Sequence, residues 1–167
     1  MPGLADKTWA LQLLVFCVLS LGCQAQQDFS LPLNSLHLTS TFGGRIHPIT
    51  RKPDFHRGID LSARCEPVLS VLNGRVSATG FDPILGNFVK IDHQGIQVLY
   101  AHLRMAWVSR GKVVEAGTPI GITGSTGRST GEHLHFAVSI SGVYLDPLQF
   151  LMGLGEQRLR DCQTSLP

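Results

Sequence analysis

Two histidines separated by one residue, His133 and His135, are the residues of this chain best suited to chemistry. The apolar residues 136–140 that follow predict a strand, in which successive side chains point to opposite faces. His133 and His135 therefore point to the same side, where two imidazoles suit a metal site or a catalytic pair. The alternative is that both are polar positions on a solvated strand face. The Gly/Ser/Thr-rich residues 124–131 before them indicate either a plain turn or the flexible wall of a peptide groove.

Three further residues of suitable chemistry lie next to glycines or at predicted strand ends: His56, Asp60 and His102. His56 and Asp60 are four residues apart, a spacing that places them on one face in a strand and in a helix alike. His102 ends an apolar run and, taken alone, is typical of a half-buried histidine with satisfied hydrogen bonds. The remaining histidines are interpreted as surface positions or as residues that support the site; they are His37, His47 and His93.

The elements that must position these residues are short apolar runs separated by glycine turns, which predicts an all-β or strongly β-dominated fold. A strand is expected over residues 36–42, ended by Gly43-Gly44 and followed by a loop over residues 45–53. Asn73-Gly74 lies between two apolar runs and predicts a β-hairpin. Residues 92–95 predict a second hairpin.

Shorter strands are expected over residues 112–114 and 119–122, and the strand that carries His133 is expected to turn at Ser141-Gly142. One short helix is predicted at residues 146–151. Asp146 would be its N-cap and Pro147 its first helical residue, because both residue types favour those positions.

The N-terminus is typical of a secretory signal peptide, to which residues 1–25 are assigned. Its apolar run, residues 9–21, is shorter than the roughly 20 residues that a membrane-spanning helix needs. We therefore expect export to the periplasm or the cell exterior, without a stable membrane span after cleavage. Residues 20–23 match a bacterial lipobox only in part, so a lipid anchor on Cys23 is the minor alternative.

Beyond the signal peptide, residues 26–35 are expected to form a short N-terminal arm, 36–152 one domain, and 153–167 a polar C-terminal tail. The formal net charge of +2 and the absence of a basic cluster argue against nucleic acid as a partner. Two cysteines remain after the signal peptide, Cys65 and Cys162. An even number in an exported protein permits a Cys65–Cys162 disulfide, and two free thiols are the alternative.

Five segments of the chain together resemble the M23 metallopeptidases, the lysostaphin/LytM-type peptidoglycan endopeptidases. The segments are residues 42–48, 56–60, 100–103, 124–131 and 133–136. They contain three motifs in the order of that family, H-x-x-x-D, then A-H-L, then H-x-H. Each motif alone is weak, but the joint match is specific, and the resemblance extends over residues 36–151.

The resemblance implies a role for each candidate residue. His56, Asp60 and His135 match the zinc ligands of the family, and His102 and His133 match its catalytic histidines. It also implies an antiparallel β-sandwich-like core with a groove at one end. The chemistry agrees, because two imidazoles and one carboxylate are ordinary Zn²⁺ ligands and leave a coordination position open, as in catalytic sites. A structural zinc usually has four Cys or His ligands, and the two remaining cysteines lack metal-site spacing.

The leading hypothesis is an exported zinc endopeptidase that hydrolyses peptide bonds of bacterial peptidoglycan with a zinc-activated water and histidine assistance. Cross-bridges and stem peptides both remain open as substrates. The alternative is a non-catalytic LytM-like regulator that binds cell wall or activates an amidase, but such relatives have lost zinc ligands and this chain has the full set. A carbohydrate-binding module would need aromatic platforms, and aromatic residues make up only 7% of the chain.

Overall fold

The computed structural model describes residues 29–46 and 51–164, apart from the side chain of Cys162. The predicted signal peptide, the alternative lipid anchor on Cys23 and the position of His47 lie outside these residues. Among the residues that are described, no helix is long and apolar enough to cross a membrane.

Thirteen strands precede a single helix in the described part of the chain. They are β1 (Leu38–Ser40), β2 (Gly43–Ile46), β3 (Pro53–His56), β4 (Ile59–Ser62), β5 (Pro67–Leu69), β6 (Gly74–Asp82), β7 (Gly86–His93), β8 (Ile96–Leu103), β9 (Met105–Ala106), β10 (Val113–Val114), β11 (Pro119–Ile122), β12 (His133–Ile140) and β13 (Val143–Leu145), followed by α1 (Pro147–Thr164).

The largest sheet has eight strands in the order β1-β4-β12-β8-β7-β6-β10, with β13 paired to β12. A second sheet has the order β5-β11-β9, and β2 pairs with β3 alone. Neighbouring strands run antiparallel in all three sheets. The prediction of an antiparallel, β-dominated fold with a C-terminal helix is confirmed.

Both larger sheets contribute to one buried apolar cluster. The eight-stranded sheet supplies side chains such as Ile59 and Phe136, which are 1% and 0% exposed, and the three-stranded sheet supplies Val68 and Ile120. Burial of each such side chain stabilises the fold by roughly 1.5–3 kcal/mol. Strands β4, β8 and β12 have alternate positions buried in this cluster, and they carry Asp60, His102, His133 and His135.

The hairpin predicted over residues 92–95 is confirmed. Gln94 and Gly95 join β7 to β8 with φ of 56° and 98°, and a two-residue type I′ turn requires positive φ at both positions.

The hairpin predicted at Asn73-Gly74 is wrong. Strand β5 pairs with β11 in the small sheet, whereas β6 pairs with β7 and β10 in the large sheet. Gly74 has no positive φ, and its missing side chain has a different cause: a Cβ there would lie 2.5 Å from Nδ1 of His93. The local sequence signal is therefore explained by close packing, not by a turn.

The loop predicted over residues 45–53 is also wrong at both ends, because β2 and β3 form a hairpin in which Arg45 lies opposite Asp54. Pro53, one of the prolines that suggested a loop, is compatible with this pair. Pro53 is the first residue of its strand, where a missing N–H is tolerated. The first strand is shorter than predicted and covers only Leu38–Ser40.

The helix begins as predicted but continues further. The backbone N–H of Leu148 donates to the Asp146 carboxylate at 2.9 Å, which is N-cap geometry. Helix α1 then runs to Thr164, through most of the stretch expected to be a polar tail. Polar residues with good helix propensity sustain it, with an exposed ion pair at 3.8 Å between Arg160 and Glu156.

The described part of the predicted N-terminal arm packs on the domain. Leu33 is 1% exposed within the core, and the N–H of Ser30 donates to the carbonyl of Val71 at 2.9 Å. Cys65 is exposed. Because the Cys162 side chain lies outside the described residues, the disulfide stays a prediction.

Candidate metal centre and active site

Strand pairing places the two central candidate residues side by side. In the β4–β12 register His135 lies directly opposite Asp60, so their side chains leave the sheet on the same face. Their neighbours along each strand, including Leu61 and Leu134, point into the core with 1% and 0% exposure. Alternation along two core strands therefore fixes the direction of both side chains.

His56, at the end of β3, completes a compact group. Asp60 Oδ1 lies 2.9 Å from His135 Nδ1 and 3.2 Å from His56 Nε2, and the two imidazole nitrogens are 3.1 Å apart. Ligand atoms around a tetrahedral zinc with bonds of about 2.0–2.1 Å lie roughly 3.3 Å apart. The three residues predicted as ligands thus form a triangle of the size that a zinc ion requires, and they are the same three that form a candidate metal-holding group.

A backbone carbonyl orients His56. Its Nδ1–H donates to the carbonyl of Thr41 at 2.8 Å. A carbonyl only accepts, so Nδ1 carries a proton, and the ring is held with Nε2 facing Asp60 and His135. This arrangement of a ligand imidazole, fixed through its second nitrogen, is usual at metal sites.

Gly58 leaves room for the His135 ring. A Cβ at this glycine would lie 2.8 Å from Cε1 of His135 and 2.6 Å from the carbonyl oxygen of Phe136. Glycine is thus required by close approach, and the H-x-x-x-D segment supplies a contact surface for His135 as well as two of the three candidate ligands.

The Asp60 carboxyl is ionised. Burial alone would raise its pKa, but hydrogen bonds and Coulombic attraction from His135 and His56 outweigh burial and hold the pKa well below its usual value. One anionic oxygen and two imidazole nitrogens therefore converge on one point. This donor set and its spacing fit a divalent cation such as Zn²⁺.

The two predicted catalytic histidines lie beside this group. The rings of His102 and His133 have centroids 4.7 Å apart, and Nε2 of His133 is 3.7 Å from Oδ1 of Asp60. Each donates its Nδ1–H to a backbone carbonyl at 2.8 Å, His102 to Thr126 and His133 to Gly131. In both rings Nε2 is left as the basic nitrogen.

A β-bulge directs His102 into the site. Between β7 and β8, the register shifts by one residue after Tyr100, and His102 has φ of 60°. In a regular strand His102 would share the core face with Tyr100. The left-handed conformation, which costs on the order of 1–2 kcal/mol for a non-glycine residue, turns its ring toward His133 instead. The N–H of His102 bonds to the carbonyl of Leu85 at 2.8 Å and supports this conformation.

His102 is neutral at neutral pH. Burial disfavours its charged form and, with the nearby His133 and His135, outweighs the hydrogen bond to Thr126 and lowers its pKa to about 4. A neutral imidazole with a free Nε2 accepts a proton, as a general base must.

Several residues that shape the site were not identified from the sequence. Thr41, Thr126 and Gly131 act through backbone carbonyls, which leave no residue-type signal. Glu132 is different: its carboxylate accepts hydrogen bonds from the N–H of Cys65 and the hydroxyl of Thr123, tying the start of β12 to two neighbouring segments. Its place inside the G-E-H-L-H run is a signal that sequence reasoning could have used.

An antiparallel β domain with three candidate metal ligands beside two histidines fits a metallohydrolase. The model of one such family, Peptidase family M23, matches residues 54–147, which is more than half of the chain. The chain belongs to Peptidase family M23.

Curated relatives of the chain are named as endopeptidases. The chain is 40% identical over 119 residues to the DD-carboxypeptidase/endopeptidase Mpg of Neisseria meningitidis serogroup B, covering 70% of this chain and 27% of Mpg. It is 34% identical to the peptidoglycan DD-endopeptidase ShyC of Vibrio cholerae, covering 70% of this chain and 28% of ShyC. The matched region thus spans little more than a quarter of each of these relatives.

Solved structures agree on the fold. The catalytic domain of the antimicrobial peptidase lysostaphin from Staphylococcus simulans has a TM-score of 0.68 and 29% identity, with 75% of this chain and 99% of that domain covered. A zinc containing peptidase from Vibrio cholerae has a TM-score of 0.67 and 33% identity, with 72% of this chain and 39% of that structure covered. The predicted lysostaphin-type architecture is confirmed.

Proposed function

We propose that this protein is a zinc-dependent endopeptidase that hydrolyses peptide cross-links of bacterial peptidoglycan. The observation that carries the proposal is the convergence of His56, Asp60 and His135 beside two histidines whose Nε2 atoms are left free. The relatives named as DD-endopeptidases favour a bond between two D-centres, such as the D-alanine-to-diamino-acid link, over a glycine cross-bridge.

Three side chains would hold the zinc: His56 through Nε2, Asp60 through Oδ1 and His135 through Nδ1. When bound, zinc lowers the pKa of water and polarises the carbonyl of the scissile bond as a Lewis acid. The three-residue donor set leaves a position for these reactants, and the carbonyl of Thr41 keeps the His56 imidazole in the required tautomer.

His102 and His133 would move the proton. Their Nδ1–H groups are held by the carbonyls of Thr126 and Gly131, so each ring keeps its orientation and its basic Nε2 while a proton is gained or lost at Nε2. One of the two accepts the proton of the attacking water and returns it to the leaving amine. The other, when protonated, stabilises the developing oxyanion.

The site of action would be outside the cytoplasm. The substrate is part of the cell wall, and the N-terminal 25 residues are typical of a signal peptide. Periplasmic and extracellular locations both agree with this proposal.

A muropeptide dimer with a D-alanine-to-diaminopimelate cross-link tests the proposal. The zinc-loaded protein is expected to convert it to two monomers, identified by mass spectrometry, while leaving a glycine-bridged dimer intact. A chelator should stop the reaction and added zinc should restore it. His133→Ala is expected to be inactive, and His37→Ala, at an exposed histidine, serves as the matched control. Failure of the zinc-loaded protein to cut either dimer would contradict the proposal and favour a non-catalytic regulator.

A further inference from the structure

The two carboxylate oxygens of Asp60 have different partners. Oδ1 faces the imidazoles, at 2.9 Å from His135 and 3.2 Å from His56. Oδ2 instead accepts a hydrogen bond from the guanidinium Nη1 of Arg45 at 3.4 Å. Arg45 has no hydrogen bond or ion pair with either of these imidazoles among the described residues.

The Arg45 guanidinium is itself held from two sides. Nη1 also donates to the hydroxyl of Ser40, and Nε is 3.9 Å from a carboxylate oxygen of Asp54. Strand pairing accounts for both partners, because Ser40 lies opposite Asp60 in the β1–β4 ladder and Asp54 lies opposite Arg45 in the β2–β3 ladder. The side chain is 25% exposed, and its Nε is buried without a hydrogen-bond partner among the residues that the structure describes. The guanidinium is therefore held through Nη1, which lies between Ser40 and Asp60, with the Asp54 carboxylate as the nearby charge on the Nε side.

We propose that Arg45 is a positioning residue that holds Oδ2 of Asp60 and so directs Oδ1 at the metal. The inference rests on the zinc centre of the proposed function. A carboxylate that is free to rotate offers a metal either oxygen, or both, whereas one held by a charge-assisted hydrogen bond offers a single oxygen in a fixed direction. The β2–β3 hairpin would then contribute to the metal centre without supplying a ligand from Arg45.

Two effects of Arg45 on zinc binding have opposite signs, and this makes the inference testable. The positive charge of the guanidinium repels a cation, so its removal by itself would tighten zinc binding. Loss of the orienting hydrogen bond would weaken binding, and loss of such outer partners typically costs about 10–100-fold in metal affinity. We expect the loss of the orienting hydrogen bond to outweigh the loss of charge repulsion, so that removal of the Arg45 guanidinium weakens zinc binding.

The experiment measures the dissociation constant of zinc by chelator competition on the metal-free protein. Arg45→Met keeps the apolar stem but removes the donors, and its dissociation constant is expected to rise about 10–100-fold. Arg57→Met is the matched control: it removes the same charge beside His56, but that guanidinium lies over the Tyr144 ring at 5.5 Å. Its dissociation constant is expected to stay at the wild-type value or to fall slightly below it, because only the repulsion of the cation is reduced. Thermal unfolding of both metal-free variants should remain cooperative.

Arg45→Lys keeps a cation with a shorter reach and is expected to bind zinc with a dissociation constant between those of the wild type and Arg45→Met. A dissociation constant for Arg45→Met at or below the wild-type value would overturn the inference. If that variant does not fold, the same outcome for Arg45→Lys would do so. Failure of the wild type to bind zinc would instead contradict the proposed function.

Discussion

His102 and His93 are two histidines in nearly the same local situation, and only one lies in the site. Each lies near the end of a central strand, with 7% and 4% exposure. Each donates its Nδ1–H to a backbone carbonyl, at 2.8 Å to Thr126 and 2.9 Å to Asn73. Burial is the main cause of a lowered pKa in both imidazoles.

The two histidines differ in the side chains that surround Nε2. His102 lies among His133, His135 and Asp60, whereas Nε2 of His93 is buried and has no hydrogen-bond partner in the described part of the chain. Burial, a fixed tautomer and a lowered pKa therefore do not define a site; the convergence of side chains from other strands does. The interpretation of His93 as a surface or supporting residue is wrong, because it is a packed residue against Gly74.

The largest expected effect comes from the same substitution at both positions. Asparagine keeps a donor near Nδ1 but has no Nε2, and it tolerates the left-handed backbone of His102. His102→Asn is expected to lower kcat/KM for the cross-linked muropeptide by about 10²–10⁴-fold, the usual contribution of a general acid or base. His93→Asn should leave kcat/KM unchanged. Equal losses of kcat/KM in the two variants would show that His102 has no catalytic role that His93 lacks.

A histidine ring packs closely against a glycine both inside and outside the site. A Cβ at Gly58 would lie 2.8 Å from the His135 ring, and a Cβ at Gly74 would lie 2.5 Å from Nδ1 of His93. Each change to alanine is expected to lower the free energy of unfolding by about 1–3 kcal/mol, as overpacking does. Only Gly58→Ala should also raise the zinc dissociation constant.

Gly44→Ala is the control for both glycine variants, because nothing lies within 4 Å of a Cβ at Gly44. Denaturant unfolding and chelator competition give the two quantities. An unchanged zinc dissociation constant in Gly58→Ala would show that the His135 ring does not depend on Gly58.

A smaller effect is expected at Glu132. Its hydrogen bonds hold the start of β12, the strand that carries His133 and His135. Glu132→Ala removes the acceptor for the N–H of Cys65 and the hydroxyl of Thr123. Because this carboxylate is exposed to solvent, we expect a loss of about 1 kcal/mol in the free energy of unfolding. Glu132→Gln keeps an acceptor oxygen and should lose less. The idea fails if glutamine and alanine are equally destabilising.

The pH dependence of stability should reveal the lowered pKa values of His93 and His102. Their pKa values are lower in the folded than in the unfolded protein, so the unfolded protein binds more protons as the pH falls. The contribution of both histidines to the free energy of unfolding of the metal-free protein is therefore expected to be complete above pH ~6.5, the pKa of an unfolded histidine. It should fall below that pH, and for His102 the loss continues to a pH of about 4.

The asparagine variants assign this pH dependence. His93→Asn and His102→Asn should each flatten the decrease, measured by denaturant unfolding at a series of pH values. An unaltered pH profile in His93→Asn would show that His93 does not titrate with a lowered pKa.

Sequence reasoning was strongest where alternation along a strand decides direction. His133 and His135 could be placed on one face by alternation. Asp60 could be placed away from the core because it lies between Ile59 and Leu61. Sequence reasoning failed where the local structure depends on contacts distant in sequence. The Asn73-Gly74 pattern arises from packing against His93, and the prolines near β2 favoured a loop over the strand that forms. His102 reaches the site only through a bulge and a positive φ, which the apolar run before it does not reveal.

Titration of the metal-free protein with zinc, followed by cleavage of the D-alanine-to-diaminopimelate dimer, tests the central claim most directly. We predict no cleavage without metal and a rise to a plateau at one zinc per chain in the wild type and in His93→Asn. Asp60→Asn should need far more zinc, and His102→Asn should bind zinc but remain nearly inactive. Full cleavage by the metal-free protein, or an unchanged titration in Asp60→Asn, would contradict the assignment of His56, Asp60 and His135 as the metal centre.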